Sequence, residues 1–258
     1  MTIDEFVKEA FFSNPEEMQR FEQLINLIPE NARSILDVGC GPGVFLYLLK
    51  EKRKEIKEIG IEISENQIRY ANNVLGVKVQ YGSADDLKFS EKSFDVVTAL
   101  EVLEHLPYEI YERACIEISR VAKSTIIISV PYNEDRGFIM CPVCRTTFNP
   151  NYHIRSFDEE ILKNIFPDFT LSKILKIGKS NVVYYPFSIL VKKIRMYMWK
   201  SKPFVCPICG FTNSRRKNKV AEARKKGIIM INFKRMLKLF ISKNKPRWAI
   251  AVYNRKET

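Results

Sequence analysis

Histidine is nearly absent from this chain: His105 and His153 are the only two among 258 residues. That excludes a site built from many imidazoles and makes each position informative. Long apolar runs are missing too. The longest, Val182 to Val191, is broken by Pro186 and Ser188 and is too short to cross a bilayer. The first ten residues, MTIDEFVKEA, lack the basic-then-apolar layout of a secretory signal. A cytoplasmic location is expected, with attachment to a membrane surface left open. Glycine is sparse at 10 residues, yet three of them fall between positions 39 and 43. Acidic residues are scarce in one region only. Residues 1–170 hold 19 Lys and Arg against 28 Asp and Glu, a net charge of −9, whereas residues 171–258 hold 23 against 2, a net of +21. So one-sided a field points to an anionic counterpart such as nucleic acid, phospholipid or a phosphorylated substrate.

What is present is a globular composition, 46% hydrophobic and 28% charged. Asn14-Pro15 reads as an N-cap followed by a first-turn proline, and Met18, Phe21, Leu24 or Ile25, and Ile28 continue as a helical stripe. From Ser34 onward, strands are expected at 34–39, 57–63, 77–82, 93–100, 124–130, 169–178 and 247–254, and helices near 43–53, 65–75, 108–122 and 157–166. Ser64 with Gln67 predicts a capping box for the second of these helices. The alternation predicts an α/β fold with a parallel, doubly wound sheet. Two segments break the rhythm, 131–155 and 179–246.

The first strand ends in ILDVGCGPG, residues 35–43. Glycines after a strand allow a tight bend and close approach of a ligand. Asp37 stands two residues before the first of them, where it would repel a pyrophosphate and suit a cation. Glu62 ends the next strand, where an acid can accept both hydroxyls of a ribose. A cofactor with a ribose, an adenine and an ammonium group but no phosphate fits: S-adenosylmethionine.

ILDVGCGPG, then IGIEIS at 59–64, then SFDVVTALEVLEHL at 93–106 resembles the class I S-adenosylmethionine-dependent methyltransferases over roughly residues 30–130. A weaker echo runs through HIRSFDEEIL at 153–162 and the last strand. The resemblance implies a Rossmann-like sheet of seven strands, the last antiparallel, over residues 31–178 and 247–258, with residues 1–30 as a helical cap. It places Asp37, Gly39, Cys40, Gly41 and Gly43 at the methionine end of the cofactor, Glu62 and Ile63 at the ribose, Ser83, Ala84 and Asp85 beside the adenine, and Leu100 and Glu101 along its flank. The family usually has an acid where this chain has Ser83, and Asp85 is the expected substitute.

Glu101-Val102-Leu103-Glu104-His105 follows the fourth strand, at the edge where doubly wound folds bind ligands. Two carboxylates and an imidazole can hold Mg²⁺, Mn²⁺ or Zn²⁺, with His153 as a later donor. The pattern is similar to ubiquinone-pathway O-methyltransferases and small-RNA terminal ribose methyltransferases, in which it binds a divalent ion. The other readings are His105 as a general base or helix cap and Glu101 as a cofactor-lining residue. Cys141-Pro-Val-Cys144 and Cys206-Pro-Ile-Cys209 are two CPxC knuckles, and four thiolates make a closed structural zinc site. Cys40 and Cys115 are not expected to join it. The knuckles fall in the insertions 131–155 and 179–246. In the second insertion, 187–200 and 233–240 read as basic amphipathic helices that would meet lipid, phosphate or only their own core. The expected function is methylation of a hydroxyl on a sugar, lipid-linked glycan or other anionic small molecule. RNA ribose methylation and a non-catalytic cofactor-binding protein stand as alternatives.

Overall fold

Apolar runs that alternate with amphipathic helical segments assemble into one sheet covered on both faces. The computed structural model describes residues 2–134, 136–183, 204–213 and 242–256. Ser34–Val38 (β1), Lys57–Glu62 (β2), Val79–Tyr81 (β3), Phe94–Leu100 (β4), Ala122–Pro131 (β5), Phe169–Ile177 (β6) and Trp248–Arg255 (β7) pair in the order β3-β2-β1-β4-β5-β7-β6. The first five are parallel, and β7 is antiparallel to both of its neighbours. The helices are Ile3–Val7 (α1), Pro15–Asn26 (α2), Val44–Lys52 (α3), Glu65–Tyr70 (α4), Tyr108–Val121 (α5) and Glu159–Asn164 (α6). Among the described residues, no helix is long and apolar enough to cross a membrane.

Residues that alternate along a strand face opposite layers. Leu36 and Val38 join Val97, Ala99, Ile126 and Ile128 in one core with Ile118 of α5 and Leu162 of α6. Ile35 joins Val96, Ile127 and Ile250 in the other, with Phe21 and Leu24 of α2, Leu46 of α3 and Tyr70 of α4. Burial on both faces is why β5 reads TIIISV without alternation.

Cap chemistry sets the helix starts. Asn14 Oδ1 accepts from the amides of Glu16 (3.1 Å) and Glu17 (3.4 Å), and Pro15 opens α2, as its sequence predicts. The capping box expected at Ser64 does not form. Ser64 is the N-cap of α4, but its side chain makes no capping bond, and its amide donates to the Glu62 carboxylate instead. The reciprocal box occurs at α1, between Thr2 and Glu5. The helix expected over 65–75 continues beyond α4 as a π-helical turn, Ala71–Leu75.

The chain divides into two compact units. One comprises Met1–Glu134, Arg155–Gly178 and Arg247–Thr258, and the other Asp135–Ile154 and Lys179–Pro246. In the second, Ile139–Met140 pairs with Thr147–Phe148, Phe204–Val205 with Thr212–Asn213, and Ser180–Val183 with Ser242–Lys245. Ile139, Phe148 and Phe204 pack around Cys141 and Cys206. The basic helices expected at 187–200 and 233–240 lie outside the described residues.

Gly60 of β2 lies beneath the glycine turn. A β-carbon there would meet Cys40 Sγ, Leu46 Cδ1 at 2.9 Å and Val79 Cγ2 at 3.0 Å. Gly60→Ala is expected to destabilise the protein by about 1–3 kcal/mol through overpacking, read as a lowered denaturant midpoint.

Candidate active site

The turn after β1 uses its glycines for conformation. Gly39, Gly41 and Gly43 all have positive φ, at 70°, 56° and 81°. A β-carbon on Gly39 would lie 2.6 Å from Val102, and one on Gly43 2.7 Å from Val77, so neither position has room for a side chain. The amides of this turn are turned inward. Gly39 and Cys40 donate to the Ile61 carbonyl (2.8 and 3.0 Å), Gly43 donates to the Cys40 carbonyl (3.1 Å), and Gly41 donates to Glu62 Oε2 (3.0 Å). A phosphate cradle needs those N–H groups pointed at the ligand. Here they hold the turn against β2.

Two buried carboxylates take the place of phosphate donors. Glu62 accepts from Gly41 through one oxygen and from the amides of Ile63 and Ser64 (2.9 Å each) through the other, which fixes its orientation. Asp37 is buried, and its Oδ1 accepts from the Thr98 hydroxyl at 2.6 Å. Burial pushes its carboxyl up to about 7. The Thr98 bond and the charge of Arg20 pull the other way, and the nearby charge of Glu62 adds to the rise.

The expected adenine segment is tied up internally. Ser83 donates to Asp85 Oδ1, while Arg113 forks onto Asp85 Oδ2 at 3.1 and 2.7 Å. Those bonds from Ser83 and Arg113 hold the Asp85 carboxyl below its ordinary range.

At the end of β4, Glu101 has a left-handed backbone, φ 57°, uncommon for a residue with a side chain. Its carboxylate accepts from Ser129 Oγ (2.9 Å) and Trp248 Nε1 (3.1 Å). Arg20 of α2 lies behind it, 3% exposed. Its Nη1 donates to Ser129 Oγ (3.1 Å) and lies 3.9 Å from Glu101 Oε1, while Nε and Nη2 donate to Glu17 Oε2 (3.0 and 2.7 Å). Its guanidinium stands 4.9 Å from the Phe21 ring and 5.3 Å from the Trp248 ring. Sequence reasoning missed this cation. Glu17 and Arg20 at i and i+3 look like a solvated helix pair, and only the β7 tryptophan and the β5 serine reveal that they are covered.

Glu104 is fully buried, and neither of its oxygens has a hydrogen-bond partner among the described residues. Burial first, and then the charge of Glu101, push its carboxyl well above the usual range. His105 is exposed, with Nε2 3.9 Å from Glu104 Oε1. His153 belongs to the second unit, where its amide faces Asn149 Oδ1 at 3.4 Å.

The second unit brings its four expected cysteines together. Cys141 Sγ lies 3.6 Å from Cys209 Sγ, and Cys144 Sγ 3.5 Å from Cys206 Sγ, with all four sulfurs within 4.8 Å of one another. The two knuckles repeat one geometry. Arg145 and Gly210 each follow a second cysteine with positive φ, 64° and 69°, and donate to Cys141 and Cys206 carbonyls at 3.1 and 3.0 Å. A tetrahedron with zinc–sulfur bonds of about 2.3 Å has edges of about 3.8 Å, close to these spacings. Cys40 and Cys115 are not in the cluster.

Residues 35–125, a strand-and-turn core carrying both buried carboxylates, match a family model described as a methyltransferase domain. That match covers about a third of the chain. A ubiquinone biosynthesis O-methyltransferase of Coxiella burnetii is 30% identical over 106 residues, 39% of this chain and 43% of that protein. The 27-O-demethylrifamycin SV methyltransferase of Amycolatopsis mediterranei is 34% identical over 94 residues, 33% of this chain and 34% of that protein. The matched part therefore spans less than half the length of these curated relatives. A solved SAM-dependent methyltransferase of Archaeoglobus fulgidus has the same fold, with a TM-score of 0.57 at 18% identity, over 97% of this chain and 98% of that one. A solved [4+2]-cyclase, SpnF, shares it at 0.53 and 15%, over 93% of this chain and 81% of that one, so the fold alone does not decide the chemistry.

Within the first unit, the Arg20 contacts are the interaction most exposed to test. Arg20→Met leaves Glu17 and Glu101 without their counter-charge and is expected to cost about 3–5 kcal/mol of stability by chemical denaturation. Arg20→Met combined with Glu17→Gln should recover part of that loss.

Proposed function

We propose that the chain transfers the methyl group of S-adenosylmethionine to a hydroxyl oxygen of a small acceptor. The observation that carries this reading is the glycine turn, whose amides are spent on the protein itself while two buried carboxylates, Asp37 and Glu62, stand beside it. That chemistry suits a cationic, phosphate-free adenosyl cofactor and disfavours a dinucleotide. When bound, the cofactor supplies the electrophilic methyl and its own leaving group. Asp37 and the turn would hold the methionine end, Glu62 and Ile63 the ribose hydroxyls, and Ser83, Ala84, Asp85 and Leu100 the adenine side. The Asp85 carboxylate, already held by Ser83 and Arg113, would shape that side more than it binds. The protein's own task is to align the acceptor oxygen and exclude water.

Glu104 fits a divalent cation such as Mg²⁺ or Mn²⁺, because an orphaned buried carboxylate is otherwise costly. His105 is a second donor or a general base for the hydroxyl. Glu101, engaged by Ser129 and Trp248, would position rather than ligate. The four cysteines of the second unit would hold a structural zinc, since such a set leaves no open coordination position. O-methylation by the two named relatives supports a hydroxyl acceptor. A sugar or lipid-linked glycan is the acceptor class proposed. Residues 179–246 hold 18 Lys and Arg against one acid, which suits an anionic lipid surface or RNA.

Calorimetry should show binding of S-adenosylmethionine and of its demethylated product, and no uptake of NAD. A cation bound against Asp37 requires the ionised acid. Affinity is therefore expected to weaken as pH falls through about 7, and Asp37→Asn should flatten that dependence. The sign for folding is opposite. A raised native pKa means the native state holds a proton the unfolded chain has lost, so the unliganded protein loses stability as pH rises from the ordinary carboxylate range toward 7. Binding that is indifferent to pH and to Asp37→Asn would sink this assignment.

Metal analysis separates the two proposed sites. One zinc per chain should survive dialysis and be lost in Cys141→Ser, whereas Mn²⁺ affinity should fall at least about tenfold in Glu104→Gln with the zinc retained.

A further inference from the structure

Arg155 stands at the carboxyl edge of the sheet. The segment that carries it is tied to the end of β5, where Asn133 donates to the Phe157 carbonyl (2.8 Å) and Tyr132 bridges to Phe157. Three sides of its guanidinium are accounted for. Nη1 donates to the Leu103 carbonyl at 2.7 Å, one face lies 3.8 Å from the centre of the Tyr111 ring, and Tyr108 flanks it at 5.1 Å. Nη2 is buried and has no hydrogen-bond partner among the described residues. Desolvation draws the group below its ordinary pKa, which marks a cation removed from water without full compensation.

The position is as informative as the deficit. Leu103, which Arg155 grips, directly precedes Glu104, and Glu104 is, among the described residues, the other buried polar side chain with unpartnered atoms. The charge of Glu104 is felt at Arg155, yet the two do not pair. An orphaned carboxylate on the loop after β4 and an orphaned guanidinium nitrogen on the segment after β5 thus stand at one edge, joined through Leu103. The cation proposed at Glu104 would satisfy the carboxylate, which leaves the Arg155 nitrogen for an anionic group. Resting on the methyl-transfer reading, we propose that Arg155 is the specificity-determining residue for the acceptor and binds an anionic substituent, a carboxylate or phosphate, close to the hydroxyl that is methylated. Tyr111 stiffens the guanidinium from behind, and the Leu103 bond fixes its rotation, so Nη2 is held ready before the acceptor arrives.

The test uses the full chain saturated with S-adenosylhomocysteine at physiological ionic strength, which screens the basic surface. Binding of benzoate, phenyl phosphate and neutral benzamide is followed by ligand-observed NMR. The unaltered protein should prefer one of the anions over benzamide by about 10- to 100-fold, and which one wins separates a carboxylate from a phosphate acceptor. Arg155→Gln should collapse the preference toward parity, and Arg155→Lys, which keeps charge but loses the fork, should fall between. A second readout needs no folded variant. In arginine-labelled protein, the preferred anion should shift one guanidinium resonance. Anion preference that survives Arg155→Gln, or its absence in the unaltered protein, overturns the proposal. Product binding that persists in those cases leaves the methyl-transfer reading standing; its loss removes both.

Discussion

One buried guanidinium holds the acidic edge of this domain together. Arg20 bonds Glu17, lies against Glu101 and Ser129, and lowers the cost of ionising Asp37 and Glu104. Taking a charge out of water is expensive, and several acids on one edge repel one another. The edge can therefore carry its acids only because α2 folds over β5 and β7 and delivers a cation, which Trp248 and Phe21 flank with their rings. The N-terminal helices are thus part of the site's electrostatics as well as of its hydrophobic core.

That constraint separates this turn from the phosphate-binding turns it resembles. Both kinds use glycine so that a backbone can bend sharply between strand and helix. The difference lies in the direction of the amides. Once Gly39, Cys40, Gly41 and Gly43 donate inward, no nest remains for an oxyanion, and the ligand-facing chemistry passes to the carboxylates. Gly41 links the two functions, since its amide both closes the turn and orients Glu62.

Strands and turn chemistry were largely legible in the sequence. β1 through β7 fall within a few residues of their expected spans, because apolar runs buried on both faces leave a strong signal. Asn14-Pro15 announced α2 for the same kind of local reason. The capping box at Ser64 did not form because a local competitor, the Glu62 carboxylate two residues back, took the Ser64 amide. Arg20, Trp248 and Ser129 escaped notice because their meeting is long-range. Arg20 and Ser129 are 109 residues apart, and Trp248 and Glu101 are 147 apart, and no periodicity records such a contact. The two CPxC pairs were legible individually, but their convergence needed the hairpins that carry them.

The proposed methyl transfer would ask little of the protein beyond alignment, because the cofactor would bring both electrophile and leaving group. Cofactor residues therefore recur in short, recognisable motifs, whereas acceptor residues are scattered. Glu101 through His105 sit at the junction of the two. Glu101 is braced from below by Ser129 and Trp248, and Leu103 is held from the side by Arg155. The loop is fixed at both places, and between them and His105 the Glu104 carboxylate is left without a hydrogen-bond partner among the described residues. Such a deficit in an otherwise well-bonded domain persists because binding something is what relieves it.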